Sequence, residues 1–295
     1  MKKPGKNFNT FDCINIFLML ALCFVTIYPL WYCLIGSFNE GRDAMYGGIY
    51  WWPRVFTLEN YKTVFGDNSI IGAFGISVAR TVLGVVLGVL VTSMASYALL
   101  AKQLLFKKTY YAMGTLTMFF SGGLIPSFFL IRRLGLYDSF WVFVLPSLFS
   151  FYFLLVFQSF FRSFSGELEE SAKMDGANEL FIYFNIIMPL SKPVIATISL
   201  FLGVGHWNDY FSGIIYIDNE KLRPISTYLY QVIAQSGSNR MMENIPGVNT
   251  SEVKTVTSQS VRLATMIVAT APIIAVYPWL QKYFIKGVMI GAIKG

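Results

Sequence analysis

Six long apolar stretches, approximately 14–37, 70–100, 109–131, 139–161, 193–217 and 263–285, leave this chain few ways to fold. Hydrocarbon about 30 Å thick is crossed by roughly 20 apolar residues in helical form. Only a helix or a closed barrel satisfies every backbone group inside that layer. The expectation is therefore an all-α, polytopic membrane protein with six transmembrane helices in one transmembrane domain spanning 1–295. Composition agrees. Charged residues make up 13% of the chain, against roughly 25% in a soluble domain.

The basic tail Lys2, Lys3 and Lys6 precedes the first stretch, as in a signal peptide. The stretch exceeds a signal core of about 7–15 residues and lacks a small-residue cleavage site, so it reads as a retained span. The net charge of +7 is scattered, and no clustered basic face exists to track nucleic acid. Short loops and the first span weigh most in setting orientation. The loop 101–108, with Lys102, Lys107 and Lys108, and the basic tail therefore place both termini in the cytoplasm. Cys13, Cys23 and Cys33 lie ten residues apart on one helix. At about 15 Å per step they are too distant for a disulfide.

The spans carry breaks. Gly84, Gly88, Ala95 and Ser96 give the second a small-residue face for close helix approach. Gly122, Gly123 and Pro126 weaken the third, and Pro29, Pro146, Pro272 and Pro278 interrupt others. Such breaks fit either a transport path or a bundle shaped by kinks. Two loops expected outside, 39–69 and 218–262, are long. An external partner, a vestibule lid or a plain connector would each account for them. Tyr110, Tyr111, Trp51 and Trp52 fall where interfacial aromatic belts belong.

One polar island, 164–192, interrupts this pattern on the expected cytoplasmic side. Ser165 can cap a helix whose first turn holds Glu167, Glu169 and Glu170, favourable at the positive end of the dipole. Leu168, Ala172 and Gly176 stack at four-residue spacing as a narrow, smooth face. Gly176 should end that helix in the left-handed conformation. A second helix then runs from about Glu179 until Pro189 prevents its extension.

The order Glu170, Ser171, Ala172, three residues, Gly176, nine residues, Ile186, one residue, Met188, Pro189 resembles the EAA loop of ABC importer permeases. That pattern reads E-A-A, G, I and L-P at the same spacings, with Ser171 and Met188 as the two departures. The six-span layout, "GHWNDYFSGIIYI" and the ending "QKYFIKGVMIGAIKG" are similar to the maltose-permease-like carbohydrate branch. Overall the chain resembles permeases that import oligosaccharides released from plant or host polysaccharides.

The resemblance implies a type I ABC importer permease fold in a bacterial plasma membrane. A second, homologous permease subunit would complete the pore, and an extracellular solute-binding protein would deliver the sugar. Two cytoplasmic ATPase subunits would bind the ATP and Mg, with no cofactor on this chain. The loop would insert into an ATPase cleft through Glu170, Ser171, Ala172, Asp175, Gly176, Ile186 and Pro189, and ATPase closure would rock the pore from inward-open to outward-open. The tail from Lys282 would also touch the ATPase side. The sequence itself has no G-x-x-x-x-G-K-[ST] loop for phosphates.

His206, Trp207, Asn208, Asp209 and Tyr210 form the densest polar and aromatic group in or beside a span. Polar groups at that depth face a cavity or a bundle interior. Trp207 and Asn208, with His206, are candidates to line the sugar path, and helix–helix hydrogen bonding is the other reading. Arg80, within the second span, would meet an acidic sugar such as a uronate, snorkel, or pair with a protein acid. The remaining rival in transport is an ABC importer for a non-sugar solute. A membrane enzyme would need a nucleophile paired with the single His206, and a secondary transporter would show repeats and paired acids. The sequence offers neither, so no enzymatic activity is expected.

Overall fold

A computed structural model of the chain describes residues 10–101, 103–164, 166–243 and 257–292. Among these it is helical, with one isolated bridge between Asn39 and Phe56 and no strand. The first helices are α1 (Thr10–Ser37), α2 (Gly41–Met45), α3 (Glu59–Gly66) and α4 (Asn68–Ala98). Next come α5 (Lys107–Phe119), α6 (Leu124–Arg133), 3-10 turns at Phe140–Phe143 and Leu145–Ser147, and α7 (Phe151–Phe161). The island supplies α8 (Gly166–Met174), α9 (Glu179–Ile182), a π-helical turn at Tyr183–Ile187 and α10 (Met188–Leu190). The chain continues through α11 (Lys192–Asn208), α12 (Phe211–Tyr216), α13 (Ile225–Glu243) and α14 (Ser258–Ala292).

Among the described residues, three stretches are long and apolar enough to cross a membrane unbroken: Thr10–Ser37, Asn68–Ala98 and Gln259–Val276. Counting bent pairs as single spans brings the number to six. The breaks have local causes. Between α5 and α6 the axis turns by 116°, where Gly123 takes φ +84° ahead of Pro126. The turns at 140–147, with Pro146, meet α7 at 49°. The helical run Glu179–Leu190 meets α11 at 81°.

Contacts divide the described residues into two units, one up to 67 with those from 231 to 270, the other from 68 to 230 with those from 271. In the first unit the end of α1 is pinned by buried polar groups. The Asn60 amide donates to the carbonyls of Ser37 and Asn39, at 2.9 Å each, and the hydroxyls of Ser37 and Tyr61 lie 2.7 Å apart. Gly36 meets α14 so closely that a Cβ there would sit 2.6 Å from Leu263 Cδ1. Trp51 packs on Phe24 and Tyr28, and Trp52 on Trp31. Cys13, Cys23 and Cys33 are free.

The second unit is organised on α4. Its buried face reads Ala73, Ser77, Arg80, Gly84, Gly88, Thr92 and Ser96, a run of small residues broken by one arginine. Lipid tails are as apolar as leucine, so close packing rather than the hydrophobic effect holds such helices together. α11 and α7 pack on α4. A core of Val89, Phe157, Phe161, Ile182, Ile187, Val194 and Ile198 joins them to the island. A second core, with Ile131, Val142, Phe143 and Tyr216, gathers α6, the 3-10 turns and α12.

The second island helix runs from Glu179 to Leu190 and ends one residue past Pro189, as expected. A π turn precedes the proline, with Met188 N–H reaching back to the Tyr183 carbonyl, and Ser191 closes the run. Two expectations need correction. The fifth apolar stretch is not one helix to 217, since α11 ends at Asn208 and α12 starts at Phe211. The segment after 218 is not all loop, because α13 occupies Ile225–Glu243 and begins with the Ile225 N–H donating to Ser77 Oγ at 2.8 Å. Tyr111 donates its hydroxyl to Gln158 at 2.6 Å. The proposed cap Ser165 lies outside the described residues.

Candidate functional site: the 166–191 elbow and the helix break at 208–210

The elbow is built by a glycine-capped helix end. Ala177 N–H bonds to the Ala172 carbonyl and Gly176 N–H to the Lys173 carbonyl, both at 3.0 Å. Together with Gly176 at φ +83° this is the Schellman arrangement that closes a helix C-terminus. Its usual apolar contact is served by Ala172 and Ala177, both packed against the α4–α7–α11 core. Asn178 then opens α9, its side chain accepting from the Phe181 N–H at 2.8 Å.

This geometry sorts the expected coupling residues into two groups. Glu170, Ser171, Asp175, Gly176 and Pro189 are exposed, while Ala172 and Ile186 are half-buried against the core. A Cβ on Gly176 would meet nothing within 4 Å. Met174 is 88% exposed at the tip, and Leu180, Phe181 and Phe184 are also open. The elbow thus presents carboxylates at its crest and apolar side chains on its flank.

Beneath the crest sits a polar cluster that the sequence reading did not single out. Lys173 Nζ lies 2.9 Å from Glu169 and 2.8 Å from Glu179. Tyr97, in the last turn of α4, points its hydroxyl at Glu179 (2.9 Å) and Glu169 (3.4 Å). One turn earlier the Ser93 hydroxyl is 2.7 Å from that of Tyr183. The hydrogen bond to Glu179, then that to Glu169, holds the Lys173 ammonium above its ordinary range. The bond from Lys173 likewise holds the Glu179 carboxyl below its own. Glu169 and Lys173 at i, i+4 were visible in the sequence. Tyr97, some eighty residues away, was not.

The path candidates converge at the α11–α12 break. Arg80 is fully buried. Its Nη2 donates to the Asp209 carbonyl at 2.6 Å, to Ser226 Oγ at 3.0 Å and to the Trp207 carbonyl at 3.4 Å. The Asp209 carboxylate lies 3.7 Å from Nη1, and the guanidinium stands 5.0 Å over the Phe143 ring. Of the roles open to Arg80, this contact set is pairing with the protein. Ending a helix at Asn208 frees carbonyls, and Arg80 donates to that of Trp207 and to that of the capping Asp209.

Trp207 is buried, edge-on to Phe74 with ring centres 5.6 Å apart. Asn208 is exposed, and His206 is half-buried against Gly84, where a Cβ would collide with its ring. His206 and Asp209 line a cavity of about 370 Å³ with Ser147, Ser212, Phe153 and Phe201. The break therefore brings together His206, Asp209 and Arg80, with Trp207 in the packing and Asn208 outward.

Among the described residues, three unbroken and three bent apolar spans with an exposed elbow between two of them have the form of a membrane permease. Residues 10–290 match the family described as binding-protein-dependent transport system inner membrane component, and the chain belongs to that family. It is 35% identical to protein LplC of Bacillus subtilis over 290 residues, covering 97% of this chain and 95% of that protein. It is 34% identical over 287 residues to the polygalacturonan/rhamnogalacturonan transport system permease protein YtcP of Bacillus subtilis, covering 97% and 98%. The fold resembles a chain of a bacterial ABC transporter involved in importing the acidic polysaccharide alginate, with TM-score 0.84 and 26% identity over 95% of this chain and 100% of that one. The type I importer permease fold and a role in binding-protein-dependent transport follow from these matches.

Proposed function

We propose that this chain forms half of a sugar-translocating pore with a second permease subunit, and that its cargo is an oligosaccharide released from a polysaccharide. The carrying observation is the exposed elbow on a family member: carboxylates and a left-handed glycine at its crest, anchored underneath to α4. A crest of this shape suits insertion into a cleft of a cytoplasmic ATPase, where the ATP and Mg would reside. Glu170, Ser171, Asp175 and Gly176 make the contact, while Ala172, Ile186 and Pro189 hold its shape. Both termini then lie in the cytoplasm, and an extracellular binding protein delivers solute to the opposite face.

The cargo assignment draws on relatives. One is named for polygalacturonan and rhamnogalacturonan transport, another from Halalkalibacterium halodurans for arabinooligosaccharides, and the structural relative takes part in alginate import. The cavity at His206 and Asp209 offers hydrogen-bonding groups beside the aromatic faces of Phe153 and Phe201, a combination suited to sugar hydroxyls and C–H faces. Arg80 supports the site from behind. The test uses the complex purified through a tag on this chain and reconstituted in liposomes with its binding protein. Oligogalacturonides should stimulate ATP hydrolysis and accumulate inside. Stimulation by peptides or phosphate, and not by any oligosaccharide, would overturn the sugar reading.

A further inference from the structure

We propose that Tyr97, Lys173 and Glu179, with Glu169, form a latch that carries movement of the elbow into α4; this rests on reading the elbow as the ATPase contact. α8 and α9 flank the Gly176 turn, and the crest between them is exposed. Lys173 ties these two helices together, at 2.9 Å to Glu169 on α8 and 2.8 Å to Glu179 on α9. Without it, the Gly176 turn would let the crest flex about its own hinge. Tyr97 then joins the tied pair to α4, its hydroxyl donating to Glu179 at 2.9 Å with Glu169 at 3.4 Å.

The second attachment is Ser93, one turn earlier, against Tyr183 at 2.7 Å. The Tyr97 and Tyr183 rings also meet, with centres 5.6 Å apart. Two grips one turn apart fix direction as well as distance. A cavity of about 710 Å³, lined by Met94, Tyr97, Leu168, Lys173 and Leu180, lies beside the latch and gives the elbow space to shift.

The other end of α4 gives the movement a destination. From Tyr97 to Arg80 the unbroken helix runs about 25 Å at ~1.5 Å per residue. There Arg80 grips the carbonyls of Trp207 and Asp209 at the α11–α12 break, beside the cavity of His206. α4 is thus a rod attached to the elbow at one end and to the candidate sugar path at the other. The latch residues touch no substrate. They are positioning residues, and their loss should change how much transport each ATP yields.

The experiment measures solute transported per ATP hydrolysed by the complete reconstituted complex, together with the amount of ATPase co-purifying with the chain. Lys173→Met and Tyr97→Phe should each lower the ratio by about threefold, the scale of breaking a networked surface pair. Co-purifying ATPase should stay at parent level, and Lys173→Arg should restore the ratio. An unchanged ratio in Lys173→Met overturns the latch. So does a lowered ratio with ATPase lost in parallel, because the cluster would then serve docking. The underlying reading fails separately: if Gly176→Trp leaves co-purification and uptake intact, the elbow is not the ATPase contact.

Discussion

Single residues carry opposite kinds of constraint here. Gly176 is held by conformation, since φ +83° disfavours any Cβ while the space around it is open. Gly176→Ala should therefore cost about 1 kcal/mol of elbow stability and little activity. Gly176→Trp should abolish uptake although the complex still assembles, as uptake and yield measured side by side will show. Gly84 is held by crowding, because a side chain there would collide with His206 between α4 and α11. Gly84→Leu should lower the yield of folded complex, measured by detergent-stable chromatography. Trp207, read from sequence as a path residue or as packing, lies buried on Phe74. Trp207→Ala should thus destabilise the chain by about 3–5 kcal/mol, visible as a lower unfolding temperature. A change confined to uptake kinetics would return it to the path.

At the scale of elements, what was legible depended on how local the cause was. The glycine that ends α8 could be read from one residue and its acidic helix. The break between α5 and α6 could be read from Gly122, Gly123 and Pro126. Pro189 could be read as the end of the second island helix, whereas the π turn at Tyr183–Ile187 before it had no signal in the sequence. The break at Asn208 had no strong local signal. It is stabilised by Arg80, 127 residues from Trp207, and an apolar stretch does not reveal which carbonyls a distant arginine will take. The latch has a definite pH behaviour. Glu179 titrates below its ordinary range, so its contribution holds above that range and is lost as pH falls through the lowered value. Lys173 titrates above its own, so its contribution holds below that range and is lost as pH rises through the raised value. Both partners are charged between about pH 6 and 9. Transport per ATP in the parent, divided by that of Lys173→Met, should be flat across this window.

For the whole molecule, an exposed crest, the small-faced helix α4 and the helix break at Asn208 are connected in sequence within the 68–230 segment. The six spans and the charge deficit announced a helical membrane protein, because hydrocarbon permits few alternatives, and the resemblance of the polar island to the EAA loop pointed to a permease. The attachment of the island to α4 could not be announced, because it joins side chains from two parts of the sequence some eighty residues apart. The most direct test places a photo-crosslinking amino acid at Met174, the exposed tip of the crest, in the assembled transporter in native membranes. The account predicts a crosslink to the ATPase subunit whose yield changes with ATP. Labelling of that position by a membrane-impermeant reagent from outside intact cells, with no ATPase adduct, would contradict it.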